Sequence, residues 1–398
     1  MRARATAPAV ALATAAALLG DTLLYTALPV SAARLGLDAL AVGLALSLNR
    51  WVRILTNPIA ARLYERFPAG ALVAVALALA VLSTAAYALP GWLAVFLGAR
   101  LVWGFSWSLL RLGSLLSAIE GGTGRAGKAL GEMRAVYGLG FVAGALYAPF
   151  AVESWGWEMA CVVAAALTLG LGLPPVLLAR RWRRGMEFPG ADADRVSIWH
   201  PRLAAVFAVA ALQYSLYSGL LAVAGGLRVA ELFPQGGALL AVLVPATIIA
   251  AAFVLTQRLS QVLWTPVAGR LADRALPATF VGATVAAVAA MSGLALVRDA
   301  TAFVAFGALA FFAGITSIVA VELALAHRST DADRPRVLAT YNSWADIGAA
   351  AGALGGGAFA LAGTDVAIMA GATIAALTIP LWRFGSAAGL MRGGPSFT

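Results

Sequence analysis

Apolar runs of about 20 residues recur along the whole chain, separated by short segments with arginine, proline, glycine and acidic residues. Because a helix of this length crosses the hydrocarbon core of a bilayer, each run predicts one transmembrane helix. The first run continues through Asp21 to Val30, which favours a spanning helix over a cleaved signal peptide. The twelve predicted spans are residues 7–30, 38–60, 69–89, 92–118, 133–152, 155–178, 203–225, 244–268, 277–296, 301–326, 337–360 and 366–384.

Two stretches of the chain carry nearly the same sequence. The first runs from Arg50 to Arg66 and the second from Arg258 to Arg274. Their landmarks keep one offset, since 258 − 50 and 266 − 58 both give 208. The chain is therefore a duplicated unit. Duplicated membrane units are how alternating-access transporters are built.

The composition also indicates a membrane protein. Hydrophobic residues make up 62% of the chain and charged residues 12%, with a mean hydropathy of +0.88. A soluble fold could not bury so much apolar surface. The long polar stretch at residues 181–202 predicts a cytoplasmic linker between an N-terminal six-helix bundle at 1–180 and a C-terminal one at 203–398. Its basic cluster could also bind anionic lipid head groups, although a role in topology is the favoured interpretation.

Basic residues fall mainly in alternate loops, which predicts that these loops and both termini are cytoplasmic. The asymmetry explains the net charge of +10, so we do not expect a nucleic-acid site. The basic set is Arg2, Arg4, Arg62, Arg66, Arg125, Lys128, Arg180, Arg181, Arg183, Arg184, Arg270, Arg274, Arg328, Arg334, Arg336 and Arg383. The opposite set holds mainly Arg34, Glu153, Glu158, Arg228, Glu231, Arg298, Asp299 and Asp365.

Several kinds of chemistry have no ligands or motif in this sequence. Cys161 is the only cysteine, and His200 and His327 fall in predicted cytoplasmic segments. We therefore expect no internal disulfide, no metal site and no haem or other cofactor. The phosphate-binding pattern GxxxxGK[ST] is also missing, so uphill transport would use an ion gradient rather than ATP.

The duplicated loop carries a known motif. Residues Gly269 to Arg274 spell G-R-L-A-D-R, and the degraded first copy, Ala61 to Arg66, spells A-R-L-Y-E-R. This pattern resembles the major facilitator superfamily over nearly the whole chain. The resemblance implies an all-α membrane protein of twelve transmembrane helices in two pseudo-symmetric six-helix bundles. It also implies a hinge and gate role for the loop residues Arg62, Glu65, Arg66, Gly269, Asp273 and Arg274.

Two further patterns resemble the same family. Arg100 and Gly104 match an R-x-x-x-G motif that its members use in proton coupling, whereas the second half has Ala310 at the place of the arginine. Gly131, Gly140 and Gly144 follow the spacing of an antiporter motif, but Ala145 replaces its proline. The second half repeats that spacing at Gly348 and Gly352, so tight helix packing explains the glycines equally well.

Charged residues within the spans are the main functional signal, because each costs about 2.5–3.5 kcal/mol at the centre of a bilayer. Counted from the outer ends of their spans, Asp21 and Arg100 lie at similar depth. We expect Asp21 to exchange a proton beside Arg100, with a static ion pair as the alternative. The further candidates within the spans are Arg50, Arg53, Arg111, Arg258, Glu322 and Asp346.

Repeat symmetry places Arg50 and Arg258 at equivalent depth, where two guanidiniums could bind an anion, as in the nitrate and nitrite porters that they resemble. A bridge to a carboxylate is the other possibility. Asn49, Arg53 and Gln257 would add donors.

A second correspondence links the first and seventh spans, since 213 − 21 and 217 − 25 both give 192. Gln213 thus corresponds to Asp21, and Tyr217 to Tyr25. We expect Tyr25 and Tyr217 to line a substrate path or to pack. The smaller offset predicts an external apolar insertion within Gly226–Leu243. Arg111 and Glu322, near the cytoplasmic ends of their spans, could form an inner gate or be solvated.

The sequence therefore predicts a non-enzymatic secondary transporter that moves a small solute by alternating access. Proton-coupled efflux is favoured, and an anion porter that uses Arg50 and Arg258 is the alternative. An intramembrane enzyme is disfavoured, because no nucleophile–base pair or metal set is visible within the spans. A passive channel is disfavoured, because a duplicated hinge loop has no use in a simple pore. Protons and membrane lipids are the expected partners. We expect a monomer in the plasma membrane, specifically a bacterial inner membrane.

Overall fold

In a computed structural model, the described residues are 2–89, 93–121, 126–182, 201–326 and 334–385. They are mostly helical. The helices are α1 (Arg2–Ser31), α2 (Ala39–Arg66), α3 (Ala69–Ala86), α4 (Leu93–Gly121), α5 (Ala126–Ala179), α6 (Pro201–Tyr214), α7 (Leu221–Leu232), α8 (Ala246–Leu259), α9 (Thr265–Leu296), α10 (Ala300–Ala326), α11 (Arg334–Ala360) and α12 (Thr364–Gly385). A 3₁₀ turn spans Ala33–Leu35, π-helices π1 and π2 span Ser215–Leu220 and Ser260–Trp264, and strands β1 and β2 span Gly237–Leu239 and Val242–Val244.

Nine helices in the described part of the chain are long and apolar enough to cross a membrane. Two of these segments, 135–179 and 246–296, contain 45 and 51 residues, which is enough for two crossings each at about 20 residues per crossing. Non-helical backbone divides both, at Gly156 (φ 79°) and at Ala275 (φ −155°). Helix α11 is not among the nine, because its glycines and Asp346 lower its hydropathy. With these two breaks and α11, the helices accommodate the predicted spans.

The segment between α7 and α8 differs from the predicted apolar insertion. We expected that insertion to lie within Gly226–Leu243, but α7 continues to Leu232. The helix ends just before Pro234, which cannot continue it. The additional residues instead form the antiparallel hairpin β1–β2. Other predicted features lie outside the described residues, namely Arg125, the linker from residue 183 to 200 with His200, and the loop with His327 and Arg328.

The chain divides into two compact units. The first comprises Met1–Leu37 and Leu48–Ala193, and the second comprises Asp38–Ser47 and Asp194–Thr398. The opening residues of α2 thus belong to the second unit, where Gly43 lies against the backbone of Ala353 and Gly357 on α11. Small residues allow helix backbones to approach this closely.

Close packing of α1 against α5 organises the first unit. A Cβ atom on Gly140 would collide with the backbone of Ala15, and one on Gly144 would collide with Thr22. Buried side chains of α1, α3, α4 and α5 fill the remaining core around Trp103 and Leu109. The glycines of α5 therefore have a direct packing role.

The second unit repeats this arrangement. Cβ atoms on Gly348 and Gly352 of α11 would run into the backbone oxygens of Ala211 and Ser215. The core continues through Phe280 and Trp382, whose rings stack with centroids 4.1 Å apart. The duplicated glycine spacing thus produces the same kind of helix contact in both units.

We predict that Gly352→Ala lowers the thermal unfolding temperature of the detergent-purified protein by several degrees. Forcing a methyl group into a filled backbone contact typically costs about 1–3 kcal/mol. Gly282→Ala in α9 is the matched control, because a Cβ there meets no atom within 4 Å and alanine favours the helix. Equal unfolding temperatures for the two variants would show that the α11 contact is loose.

Candidate functional site

A buried ion pair joins α1 to α4 in the first unit. Arg100 Nη1 donates a hydrogen bond to Asp21 Oδ1 over 2.8 Å. The arginine side chain is fully buried, whereas that of Asp21 remains 9% exposed. The sequence predicts similar depths in the membrane for Asp21 and Arg100, and the structure brings the two charges into contact. Each charge offsets the cost of burying the other.

The ring of Tyr25 links this ion pair to a second arginine. Tyr25 follows Asp21 by one helical turn and is itself buried. Its ring centroid lies 5.5 Å from Arg50 Cζ and 5.9 Å from Arg100 Cζ. Both distances are within the cation–π range of about 6 Å. Arg50 is half-buried on α2, so the ring connects a sealed guanidinium to a more accessible one.

Tyr87 is a member of the site that sequence reasoning missed. Its hydroxyl oxygen lies 3.4 Å from Arg100 Nη1, and its ring packs on Phe96 at 4.9 Å. Its backbone oxygen accepts a hydrogen bond of 2.8 Å from Trp157 Nε1. Tyr87 therefore contacts the Arg100 guanidinium without adding a charge of its own. Its position after α3 is typical of an ordinary aromatic residue at a membrane boundary, so no sequence pattern singles it out.

Gly104 explains how α2 and α4 come close enough to form the site. A Cβ at Gly104 would collide with Val52 and the backbone oxygen of Asn49. One turn further along α4, Ser108 and Thr56 share a hydrogen bond of 2.8 Å. The glycine of the R-x-x-x-G motif thus brings the helix of Arg100 against the helix of Arg50.

Two other candidate residues of α2 are also buried. Asn49 is buried, and its Oδ1 atom has no hydrogen-bond partner among the described residues. Arg53, one turn after Asn49, is buried as well. A buried acceptor without a partner is uncommon in proteins and suits a position that meets a solute or water.

The second unit presents amides where the first presents charges. Gln213 is 1% exposed, and neither its Nε2 nor its Oε1 has a hydrogen-bond partner within the described part of the chain. It stands one residue before the last residue of α6, directly ahead of π1. Gln257 Nε2 donates to the backbone oxygen of Tyr217 in π1 over 2.7 Å. π-Helical segments occur frequently at functional sites.

Tyr217 and Gly314 reproduce part of the first unit with different chemistry. A Cβ at Gly314 would collide with the ring of Tyr217, so this glycine makes room for an aromatic side chain. Ala310, at the place of the motif arginine, is buried. Arg258 follows Gln257 and is half-buried, as is Asp346 on α11. Thus the second unit has no guanidinium at the place of Arg100.

The loop residues assigned to gating are mostly exposed in their own units. Arg62, Glu65 and Arg66 are exposed at the end of α2, and Asp273 and Arg274 are exposed on α9. At Gly269 a Cβ would meet no described atom within 4 Å, and the gate role of the loop residues stays a prediction.

Tyr64, within the first copy of the loop motif, is buried. Tyr64 donates to the backbone oxygen of Leu109 over 3.1 Å, and its ring lies 6.4 Å from that of Trp182. Arg111 is half-buried on α4. Glu322 Oε1 accepts a hydrogen bond of 2.9 Å from the Tyr341 hydroxyl group. Glu322 therefore has a partner within its own unit.

Arg228, predicted as one of the charges near span ends, forms a second ion pair, in which the arginine is buried and Glu231 is half exposed. Its Nη1 donates to Glu231 over 3.0 Å and its Nη2 donates to the backbone oxygen of Ala295 over 3.0 Å. Thr364 Oγ1 contacts both Arg228 and Glu231. These contacts tie α7 to the end of α9 and the start of α12. The cluster has a structural role, since its contacts to Ala295 and Thr364 join α7 to two other helices.

Comparison with known protein families finds one match. The sequence model described as Major Facilitator Superfamily matches residues 10–264. No curated protein sequence matches the chain well enough to count as a relative.

Solved structures share the fold. One is a bacterial homolog of the human lysosomal transporter Spinster, with a TM-score of 0.78, 14% identity and 96% of each chain covered. Another is the nucleoside transporter NupG, with a TM-score of 0.77, 12% identity, and 96% of this chain and 99% of that chain covered. A third is the human organic anion transporter MFSD10 (TETRAN), with a TM-score of 0.64, 18% identity, and 95% and 99% covered. Identities this low show a shared fold and do not identify the transported solute.

We predict that Asp21→Asn and Arg100→Gln each destabilise the protein, and that the double variant is destabilised by less than the sum of the two single effects. Removing one partner of a buried pair leaves an uncompensated charge or dipole and costs about 3–5 kcal/mol. Thermal unfolding of the wild type, both single variants and the double variant measures the coupling. Strict additivity would mean that the two side chains do not stabilise each other.

Proposed function

This chain belongs to the Major Facilitator Superfamily, and we propose that it is a secondary transporter that exports a small solute in exchange for protons. Family and fold support a membrane transporter that works by alternating access and not an enzyme. The proposal adds the coupling ion, the direction and the residues that carry them. It also places the protein in a bacterial inner membrane, as a monomer with both termini cytoplasmic and surrounded by lipid.

The buried Asp21–Arg100 pair is the observation that carries this proposal. When Asp21 binds a proton, its carboxyl group loses its charge and its attraction to the guanidinium weakens. The contact that ties α1 to α4 is then easier to break. Proton loss restores the pair. Such a pair gives a two-state element of the kind that coupling requires.

The unequal exposure of the two partners favours coupling over a static tie. Arg100 is sealed, whereas the Asp21 side chain is 9% exposed. The carboxylate is therefore the partner that a proton or a polar solute can reach. Tyr25 connects the ion pair to a second arginine, because its ring contacts both Arg100 and Arg50. A change at Asp21 thus alters the surroundings of the more accessible Arg50.

The second unit would supply neutral contacts to the solute. Gln213 has an unused donor and an unused acceptor among the described residues, so a solute with hydroxyl, amide or carbonyl groups suits it. Gln257 fixes the backbone of π1 at Tyr217. The glycine spacing in α5 does not bear on direction, because packing accounts for it in both units. The Arg100 motif, which resembles the proton-coupling motif of the family, supports the coupling ion, and export is part of the proposal.

We predict that Asp21→Asn abolishes proton flux driven by the solute while preserving solute binding. The asparagine retains the size and hydrogen-bonding capacity of the side chain but cannot exchange a proton. Solutes are first identified by thermal shift from a panel of neutral, cationic and anionic compounds, because ligands of the folded state raise its stability. Proton flux is then measured with a pH-sensitive dye in proteoliposomes, and solute exchange with labelled solute.

The matched control is Asp365→Asn, which makes the same chemical change at an exposed carboxylate in the first turn of α12. It should transport protons and solute like the wild type. Normal solute-driven proton flux in Asp21→Asn would remove this residue from the mechanism and reduce the ion pair to a static tie.

The second candidate function is an anion porter, and it is favoured by the partial exposure of Arg50 and Arg258. An arginine that is half-buried can still meet a solute, and its planar fork suits carboxylates and oxyanions. MFSD10, one of the structural neighbours, is described as an organic anion transporter. Under this alternative the pair Asp21–Arg100 would be structural and the anion would lie against Arg50.

For the anion alternative we predict that Arg50→Gln and Arg258→Gln each weaken anion binding by about tenfold or more. A hydrogen bond to a charged group contributes about 1.5–3 kcal/mol, and about 1.4 kcal/mol corresponds to tenfold in affinity. Isothermal titration against an organic and an inorganic anion provides the measurement. Arg34→Gln, at an exposed arginine between α1 and α2, should leave affinity unchanged. Unaltered affinity in both site variants would exclude an anion site at these arginines.

A further inference from the structure

The β1–β2 hairpin has an unusual turn. Leu239 pairs with Val242, so Leu240 and Ala241 alone form the two-residue turn. Both have positive φ angles, 50° and 65°. Two-residue hairpin turns of this kind favour asparagine, aspartate and glycine, because other side chains crowd the backbone there. Leu240 thus adopts a backbone conformation that leucine disfavours. Backbone outliers of this kind often accompany function.

The tip of the hairpin is apolar and exposed. Leu240 is 76% exposed, Val242 61% and Leu243 81%. The sequence carries no charged residue between Glu231 and Arg258. Aliphatic side chains exposed to this extent are unfavourable in water, and a cluster of them indicates a surface that meets an apolar partner.

Two hydrogen bonds hold the hairpin against the start of α10. Leu240 N donates to Thr301 Oγ1 over 2.9 Å, and Thr301 Oγ1 donates to the backbone oxygen of Ala238 over 3.3 Å. Thr301 lies in the first turn of α10, just after the exposed Arg298 and Asp299. Charged residues between two membrane helices stand at the level of the lipid head groups or in water. The hairpin therefore lies close to the membrane–water boundary.

The neighbouring surface continues into the apolar region of the membrane. Leu296, the last residue of α9, is 78% exposed, and Ile248 in the first turn of α8 is exposed too. Exposed aliphatic residues on transmembrane helices face lipid. The hairpin tip extends this lipid-facing surface toward the head groups, and a lipid surface is thus the occupant that the surroundings favour.

We propose that the β1–β2 hairpin is a membrane anchor whose tip, Leu240 to Leu243, inserts into the boundary between lipid head groups and acyl chains. In the orientation predicted from the basic loops, this is the outer leaflet. Apolar side chains held at that depth bind by the area that they bury, as in interfacial segments of peripheral proteins. The anchor would hold the connection between α7 and α8 at a fixed height. This inference is independent of the transported solute and of proton coupling.

A fluorophore on the tip tests the proposal. Leu243→Cys in a Cys161→Ala background gives one labelling site, because Cys161 is the only cysteine. The labelled protein is reconstituted into phosphatidylcholine vesicles that contain lipids brominated at defined acyl positions. We expect strong quenching by bromine near the head groups and weak quenching by aqueous iodide. Asp365→Cys, at an exposed acidic residue of the same unit, should show the reverse.

A second variant separates lipid contact from hairpin folding. Leu240→Asn with Ala241→Gly supplies the residues that the turn prefers while removing the leucine side chain. In the Leu243→Cys background it should keep the protein monodisperse and lower bromine quenching at least twofold. Strong iodide quenching at position 243 in the original hairpin would place the tip in water and overturn the proposal. Protection from both quenchers would place it against protein and overturn it equally.

Discussion

A charge inside a membrane is stable there only when a nearby group neutralises it, and this constraint fixes the centre of the first unit. Arg100 is completely buried and Asp21 nearly so, and they meet over 2.8 Å. The helices that carry them must approach closely for this contact to form. Glycines provide the approach, at Gly104 between α4 and α2 and at Gly144 between α5 and α1. The glycine positions and the ion pair are thus parts of one arrangement, since a side chain at either glycine would displace a helix of the site.

The two units use one helical plan for different chemistry. In the first unit a carboxylate, two guanidiniums and the ring of Tyr25 form a connected cluster. In the second unit Gln213 replaces the carboxylate and Ala310 the buried arginine. An amide has no charge to gain or lose, so Gln213 cannot exchange a proton as a carboxylate could. These side chains suit the proposed division, in which the first unit senses the proton and the second binds neutral parts of the solute.

Much of this architecture could be predicted from the sequence, because lipid imposes strong and simple rules. The lengths of the apolar runs predicted the spans, and a count of residues along two helices placed Asp21 and Arg100 at similar height. The features that were not predictable depend on local backbone geometry or on long-range packing. The π-helices beside Gln213 and Gln257 follow no spacing rule, and the helix breaks at Gly156 and Ala275 occur without one shared residue type.

The role of Tyr87 could not be predicted for a related reason. It reaches Arg100 only through the packing of α3 on α4, and it is positioned by Trp157 from α5. At Gly269 of the loop motif a Cβ would meet no described atom within 4 Å, so this glycine, unlike Gly104, makes no close helix contact among the described residues. A motif specifies residue types, whereas contacts depend on the conformation that the neighbouring helices adopt.

Shared fold does not determine the solute, since the structural neighbours at 12% to 18% identity include a nucleoside transporter and an organic anion transporter. The proposed transport mechanism therefore depends on whether a proton opens the ion pair. Infrared difference spectroscopy of the reconstituted protein at high and low pH tests this directly, because a protonated carboxylic acid has a distinct carbonyl band. We expect a carbonyl band that appears on acidification, shifts when solute binds and is lost in Asp21→Asn. Identical difference spectra for the wild type and Asp21→Asn would contradict this mechanism, because Asp21 would then never take up a proton.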